Sequence, residues 1–320
     1  MHFKADRINS AVRMLATAIA MSISFGLFPL ALHAIAGERI SVLVSSQDAP
    51  FEEALSGFQK TLAKQGIEAE YDIHRLGNDG VQAEAAAKKA RSDSPGVVLT
   101  LGSLATDAAI RQISDTPIVA CLVLRPDMLR HAPNATGVVL EFPLEVQFQW
   151  LQAMLPDAKS VGVLYNPEEN EERIKAASRM ARSRGMRLDA REVYTLQDVP
   201  SALAALSKTA DVVWGLADNL ALSPQIAKHI LLFSFRNSIP FVGPSAAWVK
   251  AGALYSLDWD NADLGAQCGE MAIKVLKGAR PDQLPPATPR MVRYSVNLKT
   301  AQQMQIPISE RIIEGARSTY

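Results

Sequence analysis

Short apolar runs alternate along the chain with stretches of helical periodicity. Residues 40–44 and 97–101 form runs of strand length in which nearly every side chain is apolar. After the first run, Phe51, Leu55 and Phe58 recur at the three- to four-residue spacing of one helix face. Because strands alternate with helices in this way, we predict βαβ units and a parallel sheet in this half of the chain.

The same alternation starts again in the second half. Strand-like runs are predicted at residues 161–165, 187–193 and 212–216, with helical patterns between them. We therefore predict an α/β fold with two Rossmann-like parallel-sheet lobes. Ligands of such sheets lie beyond the carboxyl ends of the strands, and two facing lobes form a cleft that can close by hinge motion.

The C-terminal part of the chain does not start a third domain. Residues 263–277 have a helical pattern, residues 281–289 are rich in proline, and residues 293–298 are strand-like. Two short helical segments follow around Pro307. A tail of this length must pack on one or both of the earlier halves.

The N-terminal residues have the pattern of a secretory signal peptide. Basic residues precede the uncharged apolar stretch 14–32, and Ala34-Ile35-Ala36 supplies a small-x-small cleavage signal. We expect cleavage after Ala36. An uncleaved membrane anchor is the alternative, because the apolar stretch is long enough to span a bilayer. No cysteine follows this stretch, so a lipoprotein is not expected.

Composition narrows the function classes. The 33 basic and 33 acidic residues give a formal net charge of zero, so we expect no nucleic-acid partner. A hydrophobic content of 48% in 320 residues predicts a packed protein of two domains or one large one. The two cysteines, Cys121 and Cys268, lie in apolar patterns and are predicted to be buried and free. A disulfide between them stays open, because an exported compartment permits one.

The turn Gly215-Leu216-Ala217-Asp218-Asn219 is the first candidate for a binding site. It follows a predicted parallel strand, at the end where open α/β sheets bind ligands. The carboxylate of Asp218 could pair with a ligand ammonium, and Asn219 can both donate and accept hydrogen bonds. The alternative is structural, since Asp and Asn are common caps just before helices.

Polar residues also follow strands of the first half. They are Ser45, Ser46, Gln47, Gly102 and Ser103. Backbone N–H groups at such helix entries can hold a carboxylate or another anion, and ordinary capping by serine is the alternative. Arg125, directly after an apolar strand, could clamp an acid group in a bidentate manner or could be a surface residue.

Further candidates lie in the second half. Tyr165 and Asn166 end its first strand, and the aromatic ring could stack on a flat ligand or simply form a wall. Ser245 follows a short strand at residues 240–242 and belongs to the same predicted binding set. We find no dinucleotide-binding, P-loop, nucleophile-elbow or zinc-protease motif, and the five histidines are dispersed. We therefore expect no metal site, no cofactor and no enzymatic activity.

Seven short segments form an ordered set along the chain: Thr116-Pro117-Ile118-Val119, Leu155-Pro156-Asp157-Ala158, Tyr165-Asn166-Pro167, Gly252-Ala253-Leu254, Glu270-Met271-Ala272, Val296-Asn297-Leu298-Lys299-Thr300-Ala301 and Ile306-Pro307-Ile308. Together they resemble the ABC-transporter substrate-binding family that includes tryptophan- and phenylalanine-binding members. The resemblance covers essentially the whole chain after the predicted leader. It implies the type I periplasmic-binding-protein fold, with two lobes joined by three crossing segments.

The resemblance also implies where the lobes begin and end. After a signal peptide at residues 1–36, lobe 1 would comprise residues 37–140 plus about 258–290. Lobe 2 and the C-terminal tail would comprise residues 141–257 plus about 291–320.

The three crossings would fall near residues 140–143, 257–260 and 289–293. Asp258 matches an aspartate of the family at the second crossing, where it would accept a hydrogen bond from the ligand or fix the hinge. The sequence departs from the family at Gly102-Ser103 and at Arg125-Pro126-Asp127, so the resemblance does not specify the ligand.

The function implied is that of a periplasmic, monomeric solute-binding protein. It would capture a small molecule, with an amino acid or small carboxylate favoured, and deliver it to an ABC permease that a separate ATPase powers. A ligand sensor that presents its closed form to a membrane receptor is the alternative, because the same fold serves both roles. An exported α/β enzyme is a third reading, which requires a nucleophile, base and orienting group together in the cleft.

Overall fold

The structure, a computed structural model, describes residues 38–124 and 127–320. The predicted signal peptide therefore lies outside the described residues. The first sheet has five parallel strands in the order β2-β1-β3-β4-β5. Its strands are β1 (Glu38–Val44), β2 (Ala69–Arg75), β3 (Val97–Leu101), β4 (Ile118–Val123) and β5 (Ala135–Val139).

The second sheet has seven strands in the order β12-β11-β10-β9-β8-β6-β7. They are β6 (Ser160–Tyr165), β7 (Arg187–Glu192), β8 (Val212–Trp214), β9 (Phe241–Gly243), β10 (Tyr255–Trp259), β11 (Val292–Val296) and β12 (Ser318–Thr319). Strands β6 to β10 are parallel, and β11 pairs with β10 in the antiparallel direction. The order 7-6-8-9-10 repeats the order 2-1-3-4-5 of the first sheet. The two-lobed α/β fold that the sequence predicts is thereby confirmed.

Helices connect the parallel strands. They are α1 (Ala49–Lys64), α2 (Gly80–Asp93), α3 (Ser103–Gln112), α4 (Asp127–Arg130), α5 (Leu144–Met154), α6 (Pro167–Ser183), α7 (Val199–Leu206), α8 (Pro224–Asn237), α9 (Ala246–Ala251), α10 (Asn261–Leu276), α11 (Leu298–Gln303) and α12 (Glu310–Gly315). Each sheet has a buried apolar cluster on both faces, so each lobe is a three-layer sandwich. Within the described residues, no helix combines the length and hydropathy of a membrane span.

Helix α10 returns the chain to the first lobe and packs against α1. The two backbones approach so closely that a Cβ on Gly57 would lie 1.9 Å from the carbonyl oxygen of Ala262. A Cβ on Gly265 would likewise lie 1.8 Å from the carbonyl oxygen of Ala54. Only glycine fits at this crossing, which fixes α10 on the lobe that does not contain the preceding strand β10.

The chain passes between the sheets three times. The first passage, residues 140–143, joins β5 to α5, and the second is Asp260, between β10 and α10. The third lies before β11, in residues 284–291. Phe142 of the first passage stacks on Trp259, which ends β10, with ring centroids 5.7 Å apart and planes 14° apart. The lobe boundaries drawn from the sequence stay a prediction.

Some elements differ from the pattern-based prediction. The apolar run at residues 253–257 predicts a strand, but the strand lies at Tyr255–Trp259, because Ala253 and Leu254 belong to the buried connection after α9. Helix α9 and strand β12 are too short to leave a periodic signal. Asp258 therefore lies inside a strand, one residue before Trp259.

Candidate functional site

The carboxyl ends of β1, β3 and β4 meet in the first lobe. The side chain of Ser45, which is buried, accepts a hydrogen bond of 3.1 Å from the backbone N–H of Ala105 in the first turn of α3. Ser103 accepts a bond of 3.2 Å at its Oγ from the N–H of Leu124, which directly follows β4. We call Ser45, Gly102 and Ser103, with their neighbours Ser46 and Gln47, the first rim.

Gly102 lets this rim close. Its φ of +95° is a conformation that residues with a Cβ rarely adopt. A Cβ there would also lie 2.7 Å from the hydroxyl oxygen of Ser45 and 2.8 Å from a ring carbon of Phe51. The glycine therefore lets α3 begin directly over the end of β1, so that the N-terminal N–H groups of α3 lie at the rim.

The other two residues of the first rim have local roles or none that the contacts reveal. The hydroxyl of Ser46 donates to the carboxylate of Asp48 at 2.6 Å and accepts from the N–H of the same residue at 3.3 Å. This is a turn that precedes α1. Gln47 is exposed.

The end of β8 and the start of α6 meet in the second lobe through Asp218. Its side chain is 7% exposed. One carboxylate oxygen accepts from the N–H of Asn166 at 2.7 Å and from Nδ2 of Asn170 at 2.9 Å. The other accepts from the N–H of Leu220 at 3.0 Å and of Ala221 at 2.7 Å. Four donors of the protein thus occupy this carboxylate.

These hydrogen bonds are of the kind that a capping residue makes, but Asp218 does not cap the helix that the sequence predicts after it. Asp218 caps the turn that follows it, whereas α8 begins at Pro224 with Ser223 at its N-cap. It also ties β8 to the first turn of α6. A ligand ammonium would have to share the carboxylate with these four donors or displace some of them.

The neighbouring residues complete this second rim, which consists of Asn166, Asp218 and Asn219. Asn219 is exposed and donates to the carboxylate of Glu169 from its backbone N–H at 3.0 Å and from its side chain at 3.1 Å. Asn166 is the N-cap of α6 and accepts from the N–H of Glu168 at 3.0 Å. Sequence reasoning missed Glu169 and Asn170. The spacing of Asn166 and Asn170, one turn apart on a helix, was the available signal.

Tyr165 lies in the core of the second lobe rather than at its rim. Its side chain belongs to the buried apolar cluster, and its hydroxyl donates to the carboxylate of Glu192 at 3.2 Å. Burial, followed by the negative charge of Glu192, raises the pKa of Tyr165 to about 12. These contacts correspond to the wall role that the sequence left open for this residue.

The remaining candidates are separate from the two rims. Ser245 is the N-cap residue of the six-residue helix α9 and is half-buried. Asp258 is half-buried on β10, where burial raises the pKa of its carboxyl and the charge of Arg317 opposes that shift. Arg125 lies outside the described residues.

The aromatic residues near the second crossing have packing roles. Trp248 packs on Phe241 with ring centroids 5.4 Å apart, and Tyr255 is 1% exposed in the core. Only Trp259, against Phe142, lies at the passage between the lobes.

The hydrogen bonds of each rim tie it to its own lobe. Within residues 38–124 and 127–320, no hydrogen bond joins one rim to the other. In the same stretch of chain, no three His, Cys, Asp or Glu side chains form a group able to hold a metal ion. Each rim follows the first and third strands of its parallel sheet, which is the position where open α/β sheets bind ligands.

Known proteins of this architecture match the chain over most of its length. The family described as ABC transporter substrate binding protein matches residues 39–320. A tyrosine-binding protein of Clostridioides difficile strain R20291 is 25% identical over 270 residues, which cover 80% of this chain and 77% of that protein.

Two solved structures show the same fold. A ligand-free, open substrate-binding protein with adhesive properties from Clostridium difficile has a TM-score of 0.73 at 22% identity, over 88% of this chain and 99% of that one. An ABC domain in complex with L-Trp from Streptococcus pneumonia has a TM-score of 0.58 at 22% identity, over 88% of this chain and all of that one.

Family and neighbours bind solutes and are not enzymes. Because the family match extends over nearly every described residue, from β1 to the C-terminus, the chain belongs to the family of ABC transporter substrate-binding proteins.

Proposed function

We propose that this chain captures a small molecule, an amino acid, between its two lobes, outside the cytoplasm, and delivers it to an ABC permease. The observation that carries the proposal is the repeated strand order, which puts a polar rim at the switch point of each sheet. Members of the family are extracellular or periplasmic. Closure of the lobes around the ligand would then signal to the permease that the protein is loaded.

An aromatic amino acid is the first ligand to test. One relative is called tyrosine-binding, and one neighbour was solved with L-Trp. In our proposal the ligand carboxylate binds at the first turn of α3, beside Gly102 and Ser103. The first N–H groups of a helix have no acceptor within it, and the helix dipole favours an anion there.

The second rim has a different part in the proposal. Because four donors already surround Asp218, we assign it to holding Asn166 and the start of α6 in place. Ligand contact at Asn166, Asn219, Ser245 and Asp258 stays a prediction.

A thermal-shift screen tests the binding function. The full chain is melted with aromatic amino acids, other amino acids, small carboxylates, purines and sugars. We expect an aromatic amino acid to raise the melting temperature most, since binding to the folded state stabilises it. If only sugars or purines raise it, the ligand class proposed is wrong. If no compound of the panel raises it, the whole binding proposal fails for these ligand classes.

Ser103→Asp tests the position of the carboxylate. Aspartate can still accept from the N–H of Leu124 and is favourable in the first turn of a helix, so the variant should fold. Its charge would repel the ligand carboxylate and weaken binding on the order of 100-fold for charges about 6 Å apart. Ser309→Asp is the control, because Ser309 is the exposed N-cap of α12 and its bonds involve no rim residue. Equal affinity of both variants would refute the assignment.

Exposed apolar side chains support delivery to a membrane partner. Val81 is 79% exposed and follows the carboxyl end of β2, and Leu124 is 66% exposed after β4. In the second lobe, Tyr194 is 58% and Leu196 40% exposed, both after the carboxyl end of β7. Large apolar residues thus stand beside the rims of both lobes, where one partner could contact both lobes when the cleft is closed.

Photo-crosslinking separates the permease from the sensor alternative. A photoreactive phenylalanine derivative replaces Tyr194 in the test variant. In the control variant it replaces Leu232, which is 40% exposed on α8. In membranes of the source organism with ligand present, we expect Tyr194 to crosslink to an ABC permease subunit and Leu232 not to. Crosslinks to a histidine kinase or cyclase would establish the sensor alternative instead.

A further inference from the structure

The two cysteines lie against each other in the core of the first lobe. Cys121 is on β4 and Cys268 is on α10, and both side chains are fully buried. Both side chains belong to one buried apolar cluster, in which the Cys268 thiol lies near the Cys121 sulfur. It also donates to the carbonyl of Ala120 at 3.5 Å. Two elements that are far apart in sequence therefore bring together the two thiols of the chain.

We propose that Cys121 and Cys268 form a structural disulfide when the protein folds in an oxidising compartment. The proposal rests on the extracytoplasmic location given above. Both cysteines belong to the apolar cluster between β4 and α10, so the bond would join two elements that already pack against each other. Secreted proteins keep such bonds, whereas cytosolic ones do not.

The chemistry is a thiol–disulfide exchange with a disulfide of the compartment, either an oxidoreductase or a small molecule. The thiolate of one cysteine attacks that disulfide, forms a mixed disulfide and releases the first partner thiol. The second thiolate then attacks the mixed disulfide and releases the second partner thiol. Both cysteines lose a proton, the pair is oxidised by two electrons, and the partner disulfide is reduced to two thiols.

The order of events follows from burial. Burial, and then contact with Cys121, raises the pKa of the Cys268 thiol well above its ordinary value, so the folded core contains little thiolate. Only the thiolate attacks a disulfide. The exchange therefore takes place while α10 is still docking on β4, and the finished bond is shielded from reductants.

The bond would act on the binding machinery. The carbonyl of Cys121 accepts the N–H of Gly102 at 2.8 Å, so β4 at this point supports the first rim directly. Helix α10 is the element that returns from the second lobe through Asp260. A disulfide would fasten this returning helix to the strand beneath the rim and would keep the hinge anchored.

The test refolds the reduced full chain in a glutathione redox buffer. The sample is acid-quenched, denatured and alkylated, and its intact mass is measured. Without reductant, we expect the intact mass to show no alkylation. After reduction, we expect two alkyl groups. A digest of the unreduced sample should contain one disulfide-linked peptide pair, which joins Cys121 to Cys268. The chain collected from an exported compartment should give the same result. Two alkylated thiols in the sample before reduction, from either source, would overturn the proposal.

Stability provides a second readout. A cross-link that closes a loop of about 150 residues should raise the melting temperature on the order of 5–10 °C over the reduced protein. Cys121→Ala with Cys268→Ala is the control, which should melt at the same temperature with and without reductant. If the reduced and oxidised parent proteins have the same melting temperature, the bond does not anchor α10 as proposed. Ligand binding by the same samples is measured in a separate assay, so the disulfide result can be interpreted even if the proposed ligand does not bind.

Discussion

Replacing Asp218 with asparagine separates a structural from a ligand-binding role. The change keeps the shape of the side chain and removes its charge. The oxygen of the new amide still accepts from the N–H groups of Leu220 and Ala221. The amide nitrogen now faces the N–H of Asn166 and cannot accept from it. Asn170 can accept from the new group only by turning its amide and giving up the 3.1 Å bond that its Nδ2 donates to the carbonyl of Ala217. The N–H of Asn166 thus loses its acceptor, and the other donors lose a charged partner.

The expected cost follows from these bonds. A hydrogen bond to a charged group contributes about 1.5–3 kcal/mol, and an unsatisfied buried donor costs about 1–3 kcal/mol. We therefore expect Asp218→Asn to lower the free energy of unfolding by about 3 kcal/mol. For a folded chain of this length, with an unfolding entropy of about 2 cal/mol/K per residue, that is a fall in melting temperature of about 5 °C.

The assay is a denaturant titration and a thermal melt of the variant beside Asp157→Asn. Asp157 is exposed in the same lobe, so the same substitution there should change the free energy of unfolding by less than about 0.5 kcal/mol. Ligand affinity, measured well below the melting temperature, should change only a few-fold in both variants. The structural role of Asp218 is refuted if Asp218→Asn has the same melting temperature as Asp157→Asn. An affinity loss of about 100-fold without destabilisation would restore the ammonium-binding role.

Three other substitutions have expected outcomes. Gly265→Ala should destabilise the protein by about 3 kcal/mol or more in a urea titration, because its Cβ would overlap the carbonyl of Ala54, whereas Gly80→Ala, with nothing within 4 Å, should be neutral or slightly stabilising. Asp258→Asn should be more stable than the parent at pH 7, because the raised folded-state pKa means that stability falls as pH rises through it; equal melting temperatures at pH 7 contradict this. Tyr165→Phe should lose less stability between pH 10 and 12, since Tyr165 titrates at 10.0 unfolded and about 12 folded, and an unchanged alkaline melting curve counts against it.

The alternation of apolar runs predicts the architecture well because each parallel strand is buried on both faces. Strands β1, β3 and β4 are buried along almost their whole length, and their sequences are nearly continuous apolar runs. Edge strand β7 is only half-buried, and its sequence is not a continuous apolar run. The pattern cannot show that α10 crosses back to the first lobe, because the contacts of Gly57 and Gly265 are made between residues remote in sequence.

The candidate site was harder to predict than the fold. Ser45 and Gly102 could be predicted as candidates because polar residues after buried strands mark the ligand-binding edge of a sheet. The role of Asp218 could not be settled from sequence, because a cap and a ligand contact use the same residue in the same place. Its four donors come from three separate places in the chain, and only the folded arrangement of β8 and α6 reveals them.

The two rims therefore differ in what they can offer a ligand. The first rim presents the beginning of a ten-residue helix, whose first N–H groups have no acceptor within the helix, and Ser45 engages one of them. In the second rim, donors and acceptors largely satisfy each other. If the ligand carboxylate binds as proposed, it binds first to the lobe of α3, and the second lobe closes over it. Closure can then be driven only by the ligand's extra contacts in the closed state, so a ligand truncated on the side away from its carboxylate should bind the first rim and fail to close the cleft.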